Sequence, residues 1–450
     1  MENRFIMDIH LSDHFSYSRL MRFALPSIAT MIFTSIYGVV DGFFVSNYAG
    51  KTPFAAVNLI MPVLLIMATS GFMFGTGGSA IVAAAFGEGK PEDANRYFSL
   101  FVYFTFLSGV ILGVIGTVFL RPIAEFLGAS GELLHHCIVY GRINLMSLPF
   151  FTLQLLFQNF FATAEKPKLG LTVSILSGVT NMVLDAVLVI NLPGPYKLAG
   201  AAAATAMSEF VGGTLPLIYF ARKNSSILKL GRTRFEGRVL LKAAANGSSE
   251  FMNNISMCIV SMLYNFQLLK YAGENGVAAY GVMMYVSLVF SAAFIGYSIG
   301  TAPLVGYHYG AENSGELANL RKKSLRIITV FGVCMTVAAE LLAIPLSALF
   351  VGYDAELEQL TISGFRVFAV SFLFMGFGIY GSGFFTALGN GVVSALIAFL
   401  RTLVFEAAAV MLLPLVFGIR GIWFALVISE IMAALFTAFF MKKMQPKYKY

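Results

Sequence analysis

Charge is scarce in this 450-residue chain: 12% of residues are Asp, Glu, Lys or Arg, against 58% hydrophobic. A soluble domain carries roughly 25% charge, so a water-soluble fold is excluded. Cysteine is nearly absent, and Cys137, Cys258 and Cys334 are scattered on apolar segments, which excludes a disulfide framework or a thiolate metal set. The five histidines lack ligand spacing, and His135-His136 read as an exterior loop. No G-x-x-x-x-G-K-[ST] phosphate loop occurs, and GEGKP lacks the pattern, so an ATP-driven pump of that kind is excluded. No His, Cys or acid cluster has catalytic spacing, and neither an enzyme nor a bound cofactor is expected.

What is present is a series of long apolar runs, each long enough to cross a hydrocarbon core of roughly 30 Å. Twelve are read: 20–47, 54–85, 97–120, 138–164, 169–192, 198–220, 239–269, 277–309, 325–350, 361–388, 392–417 and 421–441. The polar start, with Glu2, Arg4, Asp8, Asp13 and Arg19, is no signal peptide. With the N-terminus, the even-to-odd loops and the C-terminus on one side, that side collects 22 of the 30 basic residues. The positive-inside rule places it, with both termini, in the cytoplasm of a cell-membrane protein. The net charge of +7 is then a matter of topology. Basic residues confined to short loops offer nothing to nucleic acid, and the lipid bilayer is the macroscopic partner.

The chain also repeats itself. Tyr48-Ala49-Gly50 falls on Tyr271-Ala272-Gly273, Gly77 on Gly300 and Gly87 on Gly310, at a spacing of 223. At a spacing of 221, Asp185 meets Glu406, Pro193 meets Pro414 and Ser208-Glu209 meets Ser429-Glu430. Six spans per copy start both copies on the same side, so the halves are related by an axis along the membrane normal. The expected fold is all-α and integral to the membrane, with twelve transmembrane helices in two pseudo-symmetric six-helix bundles. The division is 1–220, a cytoplasmic linker 221–242, and 243–450. The basic linker is expected to lie along the inner leaflet and tie the bundles loosely. The loops GEGKPEDANR and GAENSGELANLR share a glycine stop followed by an acidic helix start.

A carboxylate near mid-bilayer costs roughly 2.5–3.5 kcal/mol on insertion scales, so it faces a cavity or a partner. The intramembrane acids are Asp41, Asp185, Glu209, Glu250, Glu340, Glu406 and Glu430. Asp41 and Asp185 both fall in the outer half of the first bundle. Tyr37 is four residues before Asp41 and Asn181 four before Asp185, so each pair shares a helix face. Gln154 and Gln158 pair likewise on the fourth span, beside Asn159. Together they describe a wet pocket whose acids bind a proton, or Na⁺ with amide and hydroxyl oxygens, on one side and release it on the other. The alternative is that the acids simply hydrogen-bond neighbouring helices; for Glu209 and Glu430 the two readings stand level, and Glu340 reads as structural.

The stretches ALPSIATMIFTSIYGVVDGFFVSNYAG, AAVNLIMP and NMVLDAVLV, in their order over the whole length, resemble the multidrug and toxic compound extrusion (MATE) transporters. The resemblance implies a V-shaped pair of bundles that opens alternately to either side. It implies export of small organic, often cationic, compounds in exchange for H⁺ or Na⁺. The coupling cation would be handled by Tyr37, Asp41, Asn181, Asp185 and a sixth-span threonine, Thr205. If the ion is Na⁺, Asp41, Asn181, Asp185 and Thr205 are the ligands. Gln154, Gln158, Asn159 and Glu250 are the substrate-binding candidates, and a monomer is expected. A branch of the family that uses acids on the seventh, eighth and tenth spans fits less well, because 277–309 and 361–388 contain none. The rival is a lipid-linked oligosaccharide flippase of related fold. That needs a strongly basic cavity, whereas Arg401 is the one basic residue placed firmly within a span.

Overall fold

A computed structural model describes residues 9–352 and 354–450, the side chains of 46, 51 and 274 excepted. Glu2, Arg4 and Asp8 lie outside the described residues. In the first half, α1 (Tyr17–Phe44) ends in a π-turn, Val45–Ala49. It is followed by α2 (Lys51–Gly87), α3 (Pro91–Phe126), α4 (Gly131–Thr163), α5 (Pro167–Asn191) and α6 (Lys197–Ala221). The second half runs through α7 (Gly237–Asn246), α8 (Ser248–Gly310), α9 (Ser314–Val351), α10 (Ala355–Ala369) and α11 (Phe372–Ala387). It closes with α12 (Gly391–Phe399), a π-turn at Leu400–Glu406, α13 (Ala407–Leu412), α14 (Pro414–Phe417) and α15 (Ile419–Tyr448).

Ten of the described helices are long and apolar enough to cross a bilayer, and α10 with α11, bent by 50°, make an eleventh. The twelfth is the stretch of α8 before Gly273, where a φ of 59° and ψ of −151° break the helix. Its hydropathy is diluted by Glu250, Asn253, Asn254, Asn265 and Gln267. The expected seventh span, 239–269, is therefore corrected: a separate short helix, α7, precedes it, and the crossing runs from Ser248 to Gly273. His135 and His136 lie on the opening turns of α4 rather than in a loop, with His136 Nε2 3.5 Å from Glu132. Acidic first turns do follow the glycine stops, with Glu92 and Asp93 on α3 and Glu316 on α9.

The duplication appears directly in how the halves meet. A side chain on Gly87 would strike the Tyr307 carbonyl, and one on Gly310 would strike the Ala84 carbonyl. Those are the same contact seen twice, since 84 and 307 are also 223 apart. Gly77 against Gly247 and Gly300 against Ala24 repeat the relation. Glycine at these positions lets the backbones of α2 and α8 touch, as small residues do between membrane helices. The seam sits at the face that carries residues 9–16. One apolar core is shared there between the halves, joining Phe15, Phe23 and Ile28 to Tyr297, Leu320 and Phe384. Toward the opposite face the cores are confined to one half each, and Gly38 and Gly42 near the far end of α1 have nothing packed over them.

Two further devices bind this closed face. The linker is not loose: Lys229 N donates to Asn95 Oδ1 (2.6 Å), Gly231 N to Ser99 Oγ (3.0 Å) and Thr233 Oγ1 to the Arg96 carbonyl (3.0 Å). Arg96 also pairs with Glu236 at 2.9 Å. The expectation of a loose tether is corrected, because Asn95 and Ser99 on one face of α3 offer partners to the linker backbone. The N-terminal segment straps the two halves together. Leu11 N donates to Glu165 (2.6 Å), whose other oxygen lies 2.8 Å from His10 Nδ1. Phe15 N donates to Glu316 (2.9 Å), whose other oxygen lies 2.6 Å from His14 Nδ1. Glu165 belongs to the first half and Glu316 to the second.

Hydrogen bonds to charged groups contribute about 1.5–3 kcal/mol each. Glu165→Ala and Glu316→Ala should therefore speed amide hydrogen exchange at Leu11 and Phe15 respectively by about tenfold or more. Unchanged exchange would mean that apolar packing of Leu11 and Phe15 holds the strap instead.

Candidate functional site

Polar residues inside the bundles gather into two clusters, one per half. In the first, α1 brings Tyr37 and Asp41, α5 brings Asn181 and Asp185, and α6 brings Thr205. Thr205 Oγ1 donates to Asp41 Oδ1 at 3.4 Å. Asp185 and Asn181 stand beside Asp41 and act on it. Asp185 and Asn181 are 0% and 1% exposed. Both carboxyl oxygens of Asp185, and Asn181 Oδ1, accept from no protein donor. All five expected coupling residues thus converge, and no lysine or arginine is among the groups acting on these acids.

The cluster is larger than the sequence reading had it. Glu209, one turn beyond Thr205 on α6, accepts from Ser147 Oγ at 2.5 Å, and its charge acts on Asp41 and Tyr37. Tyr140 is fully buried and its hydroxyl lies beside Thr205 with no aligned partner. Gln154 bonds Ser177 Oγ (3.3 Å) and faces Tyr37, so it belongs to this cluster. A signal for the missed residues exists: Tyr140, Asn144, Ser147, Gln154 and Gln158 recur at spacings of three, four and seven, one polar face of α4.

The four expected substrate-binding residues do not share one site. Asn159 and Glu250 line a cavity of about 270 Å³ lodged mainly in the second half. Gln154 lies in the first-half cluster, and Gln158 faces a separate small recess beside Ser27 and Thr30. The reason is helical geometry: Gln154 and Gln158 share a face four residues apart, while Asn159 is rotated about 100° from Gln158 toward the cavity. Gly75 leaves room for the Asn159 amide.

The cavity is lined by Ser249 and Asn253 on α8, by Met and Phe side chains, and by Arg401, Thr402, Glu406 and Glu430. Arg401 Nε donates to both oxygens of Glu430 at 3.0 Å, and Nη2 to one of them at 2.7 Å. Thr402 Oγ1 donates to Asn253 Oδ1 at 3.1 Å. The hydroxyl of Tyr264, on a residue 1% exposed, faces Glu406 without an aligned hydrogen bond. This cluster is the counterpart of the first through the repeat: Tyr264 stands where the first half has Asp41, Thr402 where it has Asn181, Glu406 for Asp185 and Glu430 for Glu209. Glu340, expected to be structural, lies 4.0 Å from Arg366, with both side chains exposed.

A duplicated, many-spanning helical bundle with an internal cavity and one carboxylate cluster per half defines a polytopic membrane protein of two-fold design. The MatE family model matches residues 26–187 and again 251–412, and the chain belongs to that family. It is 26% identical over 425 residues to the multidrug export protein MepA of Staphylococcus haemolyticus (strain JCSC1435), covering 94% of this chain and 92% of that one. MepA of Staphylococcus aureus (strain MRSA252) is also 26% identical over 425 residues, covering 93% and 92%. Among solved structures, a MATE protein in complex with MaL6 superposes with a TM-score of 0.91 at 21% identity, over 97% of this chain and 98% of that one. The outward-facing conformation of a multidrug resistance MATE family transporter of the MOP superfamily gives 0.89 at 22%, over 97% of each. At such identity the structural likeness speaks for the fold alone.

Removing one member of a buried ion pair costs about 3–5 kcal/mol, while replacing both with apolar residues is often neutral or stabilising. Arg401→Ala should lower the thermal unfolding midpoint of the purified protein, and Arg401→Met with Glu430→Leu should restore it. Equal midpoints for the wild type and Arg401→Ala would show that water reaches Glu430 freely.

Proposed function

We propose that the chain is a secondary active multidrug efflux transporter, exporting small organic cations in exchange for H⁺ or Na⁺ by alternating access. The observation that carries this is Asp185: buried, beside Asp41, with neither oxygen receiving a protein hydrogen bond. Two like charges about 4 Å apart at an effective dielectric near 20 repel by roughly 4 kcal/mol. With no basic partner, the pair calls for a proton or a metal cation between its oxygens. Asn181 Oδ1, bare and buried, and the Thr205 hydroxyl would complete an oxygen set for Na⁺, which takes oxygen ligands as other hard cations do. Tyr37, Gln154 and Glu209 orient and polarise that set.

Cargo occupies the second-half cavity, where Glu250 and Glu406 supply negative charge and Met257, Met284 and Met375 supply adaptable walls. Binding of the ion in one half and of cargo in the other communicates through the glycine seam, across which the halves rock. The basic side is the cytoplasmic side, so the face closed by the strap and the seam is cytoplasmic and the cavity belongs to an outward-facing state. The halves, 1–220 and 243–450, move as bodies about the linker 221–242, and the working unit of this proposal is a monomer. The multidrug export role of the MepA relatives supports this reading. A single guanidinium with one edge already given to Glu430, and with Glu406 and Glu250 lining the same cavity, works against the flippase, because a diphosphate carries more negative charge than the remaining edge can balance.

Asp41→Asn and Asp185→Asn should each abolish ethidium efflux from proteoliposomes under imposed proton and sodium gradients, with the protein still inserted. The gradient that drives the wild type identifies the ion. Wild-type efflux rates in both variants would remove the first-half acids from coupling.

A further inference from the structure

Arg401 stands out because the repeat does not call for it. Its counterpart, 221 residues earlier, is Thr180, whose hydroxyl bonds its own helix at Leu176 O (2.7 Å). Here α12 gives way to the π-turn Leu400–Glu406, and an i→i+5 turn aligns residues five apart, so Arg401 and Glu406 both reach the cavity. The shank of Arg401 lies over Gly378, where a Cβ would come within 2.8 Å of its Cδ. A side chain at that position would push against the Arg401 shank, which glycine lets lie along the cavity wall.

The guanidinium is only half used. A planar fork offers five N–H groups, and Glu430 engages the edge made by Nε and Nη2. No hydrogen bond of the described structure uses Nη1, and the Arg401 side chain is 16% exposed while that of Glu430 is 2% exposed. The outer edge, Nη1 with the second N–H of Nη2, therefore remains open on a cavity-lining residue. Glu406 lies on the same wall and feels the Arg401 charge, with the unpartnered Tyr264 hydroxyl behind it; Glu250 lines the same cavity. Positive and negative groups are thus presented side by side.

We infer that the cavity recognises zwitterionic cargo, the open edge of Arg401 taking a carboxylate while Glu406 and Glu250 take the cationic end. This rests on the reading of the cavity as the cargo site. A simple anion leaves Glu406 and Glu250 without a counter-charge, whereas a zwitterion satisfies both signs. A purely cationic ligand leaves the Arg401 edge unused.

The test is a matched pair of dyes: rhodamine 110, which carries a free carboxylate, and rhodamine 123, its methyl ester and a simple cation. Fluorescence polarisation with the purified full chain should give wild-type affinities for the two within about threefold. Arg401→Gln with Glu430→Gln, which leaves no unpaired charge, should weaken rhodamine 110 by about tenfold or more, as loss of a charged hydrogen bond does. Rhodamine 123 should change by no more than about twofold in the same variant. If that variant does not elute as a folded monodisperse protein, Arg401→Met with Glu430→Leu takes its place. Wild-type binding of rhodamine 123 alone, or equal loss of both dyes in a folded variant, overturns the inference and leaves the cargo cavity standing. Failure of both dyes to bind the wild type overturns the cargo cavity as well.

Discussion

A carboxylate inside a bilayer must find a partner, and the two halves of this protein meet that demand in opposite ways. The first half gathers Asp41, Asp185 and Glu209 with hydroxyl and amide groups and no base. Under the proposed function its charge is balanced by a cation that arrives from outside. The second half keeps Glu406 and Glu430 at the repeated positions but supplies Arg401, a permanent internal counter-ion for Glu430. Desolvation makes both solutions expensive as packing devices. Under the proposed function, their presence at corresponding places reflects a division of labour: an exchangeable ion on one side, cargo on the other.

The halves share an apolar core only along a seam at one face and keep separate cores toward the other. Glycines at repeat-related positions bring α2 and α8 into backbone contact at one face. The strap on Glu165 and Glu316 adds directional, breakable bonds there. Packed cores resist continuous deformation, so under the proposed alternating access the motion is concentrated in this seam of backbone contacts and a few polar bonds. The linker follows the first half through its bonds to α3, and α7 touches both halves, with the Ala243 carbonyl against Gly77 and Asn246 Nδ2 donating to the Thr386 carbonyl at 2.7 Å.

Much of this could be read from the chain. The apolar runs and the two spacings, 223 and 221, gave the duplication, and the spacing of four within Tyr37–Asp41 and Asn181–Asp185 gave faces that do converge. Other features could not be seen. Gln154, Gln158 and Asn159 looked like one group, but a single helical step sends Asn159 to a different cavity. Arg401 looked like an isolated base within a span. Its partner, 29 residues away on α15, and the π-turn that aims it both arise from packing that no local pattern announces. The linker looked loose because its charge was conspicuous, while the Asn95 and Ser99 side chains that hold it belong to another helix.

Taken alone, the sequence determined the solvent this protein lives in, the number and order of its crossings, its two-fold plan and the acids of its first half. These follow from hydrophobic length and from repetition, which are properties of the chain as a line. Tertiary structure decided which acids share a site, which face of the molecule is closed, and that the cavity lies in the half whose base is already paired. Those depend on helix rotation and on contacts between residues hundreds of positions apart, where one residue of π-turn or one missing Cβ changes what meets what.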